Sequence, residues 1–199
     1  MMIIKKAEFV VSNTDPGKCP VTEKPEFAFV GRSNVGKSSL INMLTNFNDL
    51  AKVSGAPGKT RLINHFNIND EWFLVDLPGY GYAKALRSSR EKWLIFIKKY
   101  LRVRENLFCV FALIDSRHEP QALDLEFMNW MGENGVPFAM VFTKTDKLSD
   151  KQLDKNLSAY KTEMLKTWEE LPPLFVTSAE KKLGRDEMLT FIGDIVRKN

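Results

Sequence analysis

The sequence contains few of the residues that bind transition metals or form covalent crosslinks. Its 199 residues include two cysteines and two histidines, which are Cys19, Cys109, His65 and His118. None of them has the spacing of a metal site, and Cys109 falls inside an apolar run that predicts a buried strand. This composition excludes a disulfide framework like that of small secreted proteins, and we expect two reduced thiols and two histidines that are surface or structural residues and not ligands.

The chain also lacks a long apolar segment, an internal repeat and a strong excess of one charge. The apolar run in residues 1–11 is interrupted by Lys5 and Lys6, so it is too short for a signal peptide or a membrane span. The formal net charge is +4, and 44% of the residues are hydrophobic. These features predict a single globular domain over residues 1–199 in the cytoplasm, with residues 1–24 as an N-terminal extension.

Short apolar runs that alternate with longer segments predict an α/β fold with a mostly parallel sheet. The expected strands are residues 27–30, 62–68, 72–75, 107–114, 138–142 and 174–176. The expected helices are residues 37–45, 87–104, 120–134, 150–169 and 185–197. The second and third strands are too close in sequence for a crossover helix, so they should form an antiparallel hairpin. Residues 46–59 predict a loop immediately before it.

The strongest signal is a phosphate-binding loop between the first expected strand and the first expected helix. It fits the pattern G-x-x-x-x-G-K-[ST] and consists of Gly31, Arg32, Ser33, Asn34, Val35, Gly36, Lys37 and Ser38. Glycines allow the backbone to curl until successive N–H groups converge on phosphate oxygens at the positive end of a helix. Lys37 would then reach the β- and γ-phosphates, and the Ser38 hydroxyl would bind Mg²⁺.

Asp76, Leu77, Pro78 and Gly79 follow the strand expected at residues 72–75. A carboxylate at the end of a strand lies where α/β proteins gather their ligands, so Asp76 is a candidate Mg²⁺ residue. The Gly79 N–H could contact the γ-phosphate after a backbone rearrangement. An Asp-x-x-Gly pattern alone is equally typical of an ordinary turn.

Two further motifs would recognise a guanine base. In the run Thr143, Lys144, Thr145 and Asp146, the Asp146 carboxylate only accepts hydrogen bonds, so it pairs with the N1 and N2 donors of guanine and disfavours adenine. Lys144 can lay its aliphatic stem along the face of the base. The backbone N–H groups of Thr177, Ser178 and Ala179 could reach the guanine carbonyl. The order of the motifs, each after an expected strand, carries more weight than any one of them.

In this order the motifs resemble those of the translation-factor-related GTPases, and most closely those of the EngB family (YihA or YsxC), which are small bacterial GTPases linked to ribosome assembly. The similarity covers nearly the whole chain, and the stretch DLPGYGYA at residues 76–83 is its most family-specific part. It implies a P-loop NTPase fold with a six-stranded Ras-like sheet and helices on both faces. It also implies a switch loop at residues 46–60 and nucleotide contacts from Gly58, Lys59, Thr60, Arg61 and Leu62.

The resemblance implies roles for several of these residues. Thr60 would join Ser38 and Asp76 on Mg²⁺ when GTP is bound. The candidate catalytic residues are Asn34, Lys37, Thr60 and Gly79. The partner would be the large ribosomal subunit or its precursor, the protein would be a monomer away from membranes, and it would support normal cell division and septation.

Two departures from other GTPases, and one residue of the phosphate loop, affect the expected activity. Tyr80 stands where Ras-type proteins have a glutamine that orients the attacking water, so we expect slow intrinsic hydrolysis. Thr143 replaces a common asparagine and alters a link to the phosphate loop, so affinity is expected to be modest. Asn34 could hold K⁺ beside the phosphates, or it could simply stabilise the loop.

A cluster of cations follows the Asp76 motif and suggests contact with ribosomal RNA. It comprises Lys84, Arg87, Arg90, Lys92, Lys98, Lys99, Arg102 and Arg104, against the single acid Glu91. An ordinary solvated helix face explains the same pattern. Two other functions also remain open from the residues alone, namely a P-loop kinase and a nucleotide-gated binding module with negligible turnover.

Overall fold

One seven-stranded sheet organises the fold. The computed structural model describes residues 2–51, 62–80 and 87–198, with the backbone alone at residues 87–91 and 93. The strands are β1 (Ala7–Asn13), β2 (Glu26–Gly31), β3 (Ile63–Ile68), β4 (Trp72–Asp76), β5 (Leu107–Asp115), β6 (Phe138–Thr143) and β7 (Leu174–Val176). Their order across the sheet is β1-β3-β4-β2-β5-β6-β7. The β1–β3 and β3–β4 pairs are antiparallel, and the remaining neighbours are parallel.

Helices cover both faces of this sheet. Those in the described residues are α1 (Lys37–Thr45), α2 (Arg87–Val103), α3 (Ala122–Glu133), α4 (Asp150–Met164) and α5 (Arg185–Val196). α1 and α5 pack on one face around Phe111, and α2, α3 and α4 pack on the other around Phe127. The α/β class and the mostly parallel sheet predicted from the sequence are confirmed. Within the described ranges, no helix combines the length and apolar character needed to cross a bilayer.

The sheet has seven strands where the family resemblance predicts six. The additional strand, β1, lies within residues 1–24, which the sequence suggests are an extension. It pairs with β3 from Ala7 opposite Ile68 to Asn13 opposite Ile63, with a bulge between Phe9 and Val11. The Ser12 hydroxyl adds a 2.6 Å hydrogen bond to Asn64 Oδ1. This part of the chain is therefore a structural edge of the sheet.

Helix α4 is shorter than the sequence predicts, because the chain turns at Met164 and not at residue 169. The N–H groups of Lys166 and Thr167 donate to the carbonyls three residues earlier, Glu163 and Met164, so the α-helical bonding pattern gives way to a tighter turn. The Trp168 ring then packs edge-on against Phe138 and donates from Nε1 to Asn129. Burial of the indole therefore competes with continuation of the helix.

A buried ionic cluster fixes α2 to the sheet. Glu26, at the start of β2, accepts hydrogen bonds from the Tyr100 hydroxyl at 2.6 Å and from Arg104, which directly follows α2. His65 Nε2 lies 3.4 Å from the same carboxylate but is not aligned as a hydrogen bond. Burial alone would raise the pKa of Glu26, but these polar neighbours outweigh burial and lower the pKa to about 2. The end of α2 is thus held by a carboxylate on the strand that leads to the phosphate loop.

Candidate nucleotide-binding site

The predicted site residues meet at the carboxyl edge of the parallel strands. β2 leads into the loop at residues 31–38, and β4 ends at Asp76. β6 ends at Thr143, and β7 leads to Thr177. Ligands of open α/β sheets bind at this edge. The fold thereby brings together the phosphate loop and the motifs at residues 76–79, 143–146 and 177–179.

The phosphate loop needs glycine at two positions. Gly36, at the N-cap of α1, has φ +101°, a conformation that side chains disfavour. At Gly31, a Cβ atom would lie 2.9 Å from the Leu113 carbonyl oxygen on β5, which is too close. Asn34 also adopts a left-handed conformation, with φ 65°, which asparagine tolerates better than most residues. Together these positions produce a curled backbone ahead of a helix N-terminus, which is a suitable cradle for phosphate.

Lys37 and Asp76 form an ion pair across the site. Their side chains are only 10% and 5% exposed, and Asn64 Nδ2 lies 3.4 Å from the second Asp76 oxygen. No group of three or more histidine, cysteine or acidic residues that could hold a metal ion by itself occurs in the part of the chain that the structure describes. A hydroxyl at Ser38 and a carboxylate at Asp76 are oxygen donors of the kind that Mg²⁺ uses together with substrate phosphates. The donor set therefore fits Mg²⁺, with the phosphates completing the shell.

Thr143 and Lys144 connect the base-reading motif to the phosphate loop. The Thr143 hydroxyl donates to the Val35 carbonyl at 2.6 Å, so threonine retains a link that the sequence suggests is altered. Lys144 Nζ donates to the Asn34 carbonyl at 2.5 Å and to Asp115 Oδ2 at 2.8 Å. The Lys144 side chain thus lies across the loop. A Cβ atom built on Gly36 would be 3.5 Å from the Lys144 Cε atom.

Asp115, at the end of β5, is a site residue that the motifs do not include. Burial would raise its pKa, but hydrogen bonds from Arg117 and Lys144 outweigh burial and lower the pKa to about 2. The ionised carboxylate holds the Lys144 ammonium in place over the loop. The signal that identifies Asp76, a carboxylate at the end of an apolar run, could also have found Asp115.

Asp146 is oriented by its neighbours. Ser178 Oγ donates to Asp146 Oδ1 at 2.6 Å, and Lys147 Nζ lies 3.0 Å from Oδ2. The Ser178 hydrogen bond is the main reason that the pKa of Asp146 is lowered, and Lys147 adds to it. Thr145 ties the same turn to β7, because its N–H and hydroxyl both donate to the Thr177 carbonyl. An ionised acceptor is therefore held in one orientation.

A cavity of about 540 Å³ opens beside this carboxylate. Its walls include Gly36, Asn46, Lys144, Asp146 and Ala179. The volume lies within the range of small-molecule sites. The cavity joins the phosphate loop to the base-reading turn, which is the span that a nucleotide needs.

Most of the nucleotide contacts predicted at residues 58–62 fall on residues that the structure does not describe. Gly58, Lys59, Thr60 and Arg61 lie outside the described residues, as does most of the loop at residues 46–60. Leu62 is half-buried immediately before β3. The structure therefore leaves their roles as predictions.

Tyr80 turns away from the phosphate loop. Its side chain is 3% exposed, its ring packs 5.1 Å from Phe127, and its hydroxyl donates to Asp124 at 3.0 Å. A buried phenol in this orientation cannot place a water molecule beside a phosphate. The described residues therefore offer no side chain from position 80 in the role of the Ras-type glutamine.

The fold and this site define a P-loop GTPase. A family model described as a 50S ribosome-binding GTPase matches residues 26–144. Probable GTP-binding proteins EngB from Porphyromonas gingivalis and Christiangramia forsetii are 61% and 57% identical over 194 residues. These alignments cover 98% of this chain and 96% and 98% of those proteins. The chain belongs to the EngB family of GTP-binding proteins.

Solved structures agree on the fold. A crystal structure of a probable GTP-binding protein EngB has a TM-score of 0.70 and 22% identity, covering 87% of this chain and all of that one. Era from Aquifex aeolicus bound to GDP and AlF₄⁻ has a TM-score of 0.67 and 24% identity, covering 86% of this chain and 56% of that one. At these identities the similarity concerns architecture, and the roles of individual residues rest on the geometry above.

Proposed function

We propose that this GTPase is a nucleotide-controlled switch that acts on the large ribosomal subunit or its precursor in the cytoplasm, and that normal cell division and septation depend on it. The observation that carries the proposal is the basic outer face of α2. This helix follows the Asp76 motif in sequence, and Glu26 anchors its end to the strand before the phosphate loop. The description of the matching family model, which names 50S ribosome binding, supports the same partner.

The structure shows fewer exposed cations on the outer face of α2 than the sequence predicts. Three of the predicted cations are exposed, namely Lys92, Lys99 and Arg102. By contrast, Lys98 Nζ lies 4.7 Å above the Trp130 ring, and Arg104 forms an ion pair with Glu26. Lys84 lies outside the described residues, and so do the side chains of Arg87 and Arg90. The exposed cations suit the phosphates of RNA because their side chains reach solvent, and Lys99 Nζ also lies 4.0 Å from the Asp15 carboxylate.

Reversing two of these charges should weaken binding to large ribosomal subunits. For Lys99→Glu with Arg102→Glu, we expect affinity to fall about 10-fold or more at low salt, and the salt dependence of binding to become shallower, because fewer phosphates are neutralised. Cosedimentation at several salt concentrations measures both effects. The matched control is Lys151→Glu with Lys155→Glu on α4, where both lysines are also exposed. Equal losses in the two double variants would contradict a specific role for α2.

In the proposed cycle, Mg²⁺ would be held by Ser38, Asp76 and Thr60, and would neutralise charge on the phosphates during hydrolysis. Lys37 would bind the β- and γ-phosphates, and the Gly79 N–H would contact the γ-phosphate. Because Tyr80 is turned inward, hydrolysis by the isolated protein should be slow. A ribosomal partner would then set the timing of the switch.

Asn34 is proposed to bind K⁺ beside the phosphates. Its side chain is exposed at the crest of the loop, and its amide makes no hydrogen bond to the described residues, whereas its backbone carbonyl is held by Lys144. We expect GTP turnover in potassium buffer to exceed turnover in sodium buffer several-fold, roughly 5-fold or more if one cation stabilises the transition-state charge. Asn34→Ala should remove that difference, and because alanine tolerates the left-handed backbone at residue 34 less well, the quantity compared is the ratio of the potassium to the sodium rate within each variant. Equal wild-type rates in the two buffers would show that the amide only shapes the loop.

A further inference from the structure

The motif at residues 76–80 is fastened to the phosphate loop by backbone hydrogen bonds. The Tyr80 N–H donates to the Gly31 carbonyl, and the Ser33 N–H donates to the Tyr80 carbonyl, each at 3.0 Å. A Cβ atom built on Gly79 would lie 3.3 Å from both the Gly31 oxygen and the Ser33 nitrogen. Residue 79 is therefore in van der Waals contact with the loop, and no phosphate group fits between the two backbones in this arrangement.

The side chain of Tyr80 holds this arrangement from the other side. Its hydroxyl donates to Asp124 Oδ1 in the first turn of α3, and both side chains are 3% exposed. The Tyr160 hydroxyl from α4 lies 3.5 Å from Asp124 Oδ2 and accepts from the Gln121 N–H. The Asp124 carboxylate thus connects Tyr80 to helices α3 and α4.

The surroundings of Asp124 determine whether its carboxyl group is ionised. Burial raises the pKa of Asp124 to about 6, although the Tyr80 hydrogen bond, the nearby charge of Arg32 and the Tyr160 hydrogen bond oppose this rise. Near pH 7.5 the carboxyl group is therefore mainly ionised and is a strong acceptor. Arg32 itself donates to Gln121 at 3.1 Å, so the phosphate loop reaches the same start of α3.

We propose that Asp124 is a positioning residue for the nucleotide switch, which holds Tyr80 inward and thereby favours the arrangement in which Gly79 lies against the phosphate loop. A nucleotide with a γ-phosphate between these backbones must break the Tyr80 backbone pairs, whereas a diphosphate leaves them intact. Asp124 therefore lowers the affinity for GTP relative to GDP by stabilising the arrangement that GTP displaces. The inference rests on the contact proposed between Gly79 and the γ-phosphate.

The test is the ratio of affinities for GDP and a non-hydrolysable GTP analogue, measured with fluorescent nucleotides and Mg²⁺ at pH 7.5. Tyr80→Phe removes one buried hydroxyl and should tighten binding of the analogue roughly 3- to 10-fold, because a hydrogen bond to a charged acceptor is lost from one arrangement only. Affinity for GDP should stay within about 2-fold of the wild-type value, as expected for a ligand that binds both arrangements equally.

Two further variants separate positioning from general stability. Tyr160→Phe removes a hydroxyl from the other side of the same carboxylate without touching residues 76–80, so it should leave the ratio unchanged. Asp124→Asn keeps an oxygen that can accept from Tyr80 but removes the charge, so it should shift the ratio less than Tyr80→Phe does, whereas Asp124→Leu should behave like Tyr80→Phe. If Asp124→Leu does not fold, Tyr80→Phe alone decides the outcome.

An unchanged ratio in Tyr80→Phe, or an equal shift in Tyr160→Phe, overturns the inference. A loss of affinity for both nucleotides in parallel would also overturn it, since a merely structural role predicts that result. None of these outcomes affects the ribosomal proposal, because that proposal is tested by particle binding of the α2 variants.

Discussion

Replacing Asp146 with alanine should abolish the preference for guanine nucleotides. The carboxylate is oriented by Ser178 and Lys147, and it only accepts hydrogen bonds. Its loss leaves the N1 and N2 donors of guanine unpaired, so GTP and GDP affinity should fall roughly 100-fold or more. Affinity for ATP should hardly change. Competition by GTP, GDP and ATP against a fluorescent guanine nucleotide measures both effects.

A second substitution at this position tests the hydrogen-bond pattern more sharply. Asp146→Asn keeps the size of the side chain but replaces one acceptor with an NH₂ donor, which matches a purine that carries a carbonyl at C2, as xanthine does. Xanthosine triphosphate should therefore bind Asp146→Asn better than it binds the wild type. Asp150, an exposed acid four residues later, provides the matched control, because Asp150→Ala should leave the affinities for GTP, GDP, ATP and xanthosine triphosphate unchanged. Retention of guanine selectivity in Asp146→Ala would show that another group reads the base.

The parts of the fold that could be predicted are those encoded by local patterns. The buried strands are continuous apolar runs, and the phosphate loop has its own residue spacing between β2 and α1, so each could be located within a residue or two. Strand β1 has no such run. It is an edge strand with Phe9 and Val10 exposed, and its pairing with β3 joins residues fifty or more positions apart, which periodicity cannot indicate.

The sequence indicates which residues belong to the site, but it does not indicate which of them contact one another. The sequence indicates that Lys37 and Asp76 serve one ligand, but their mutual ion pair depends on the side-by-side placement of β2 and β4. The inward turn of Tyr80 depends on Asp124, which lies 44 residues later on α3. Asparagine is common at the position of Thr143, but here a threonine hydroxyl on β6 reaches the Val35 carbonyl of the loop. In each case the missing information is the distance between elements, which one sequence does not contain.

Replacing Lys37 with methionine should impair both nucleotide binding and the stability of the protein itself. Methionine keeps the aliphatic stem but removes the charge, so GTP affinity should fall roughly 100-fold, because charge-assisted hydrogen bonds to the phosphates are lost. The Asp76 carboxylate, only 5% exposed, then has no cation beside it among the residues that the structure describes. Breaking a buried pair in this way should lower the free energy of unfolding by about 3 kcal/mol.

The double variant Lys37→Met with Asp76→Asn separates these two effects. It removes the uncompensated charge, so the free energy of unfolding measured by urea denaturation should recover most of the loss, while GTP binding stays as weak as in the single variant. Lys166→Met provides the contrast, since its pair with Glu163 is exposed and should be worth less than about 1 kcal/mol. A single Lys37 variant as stable as the wild type would mean that Asp76 needs no partner in the folded protein. In that event the lysine serves the phosphates alone, and the ion pair contributes nothing to the stability of the site.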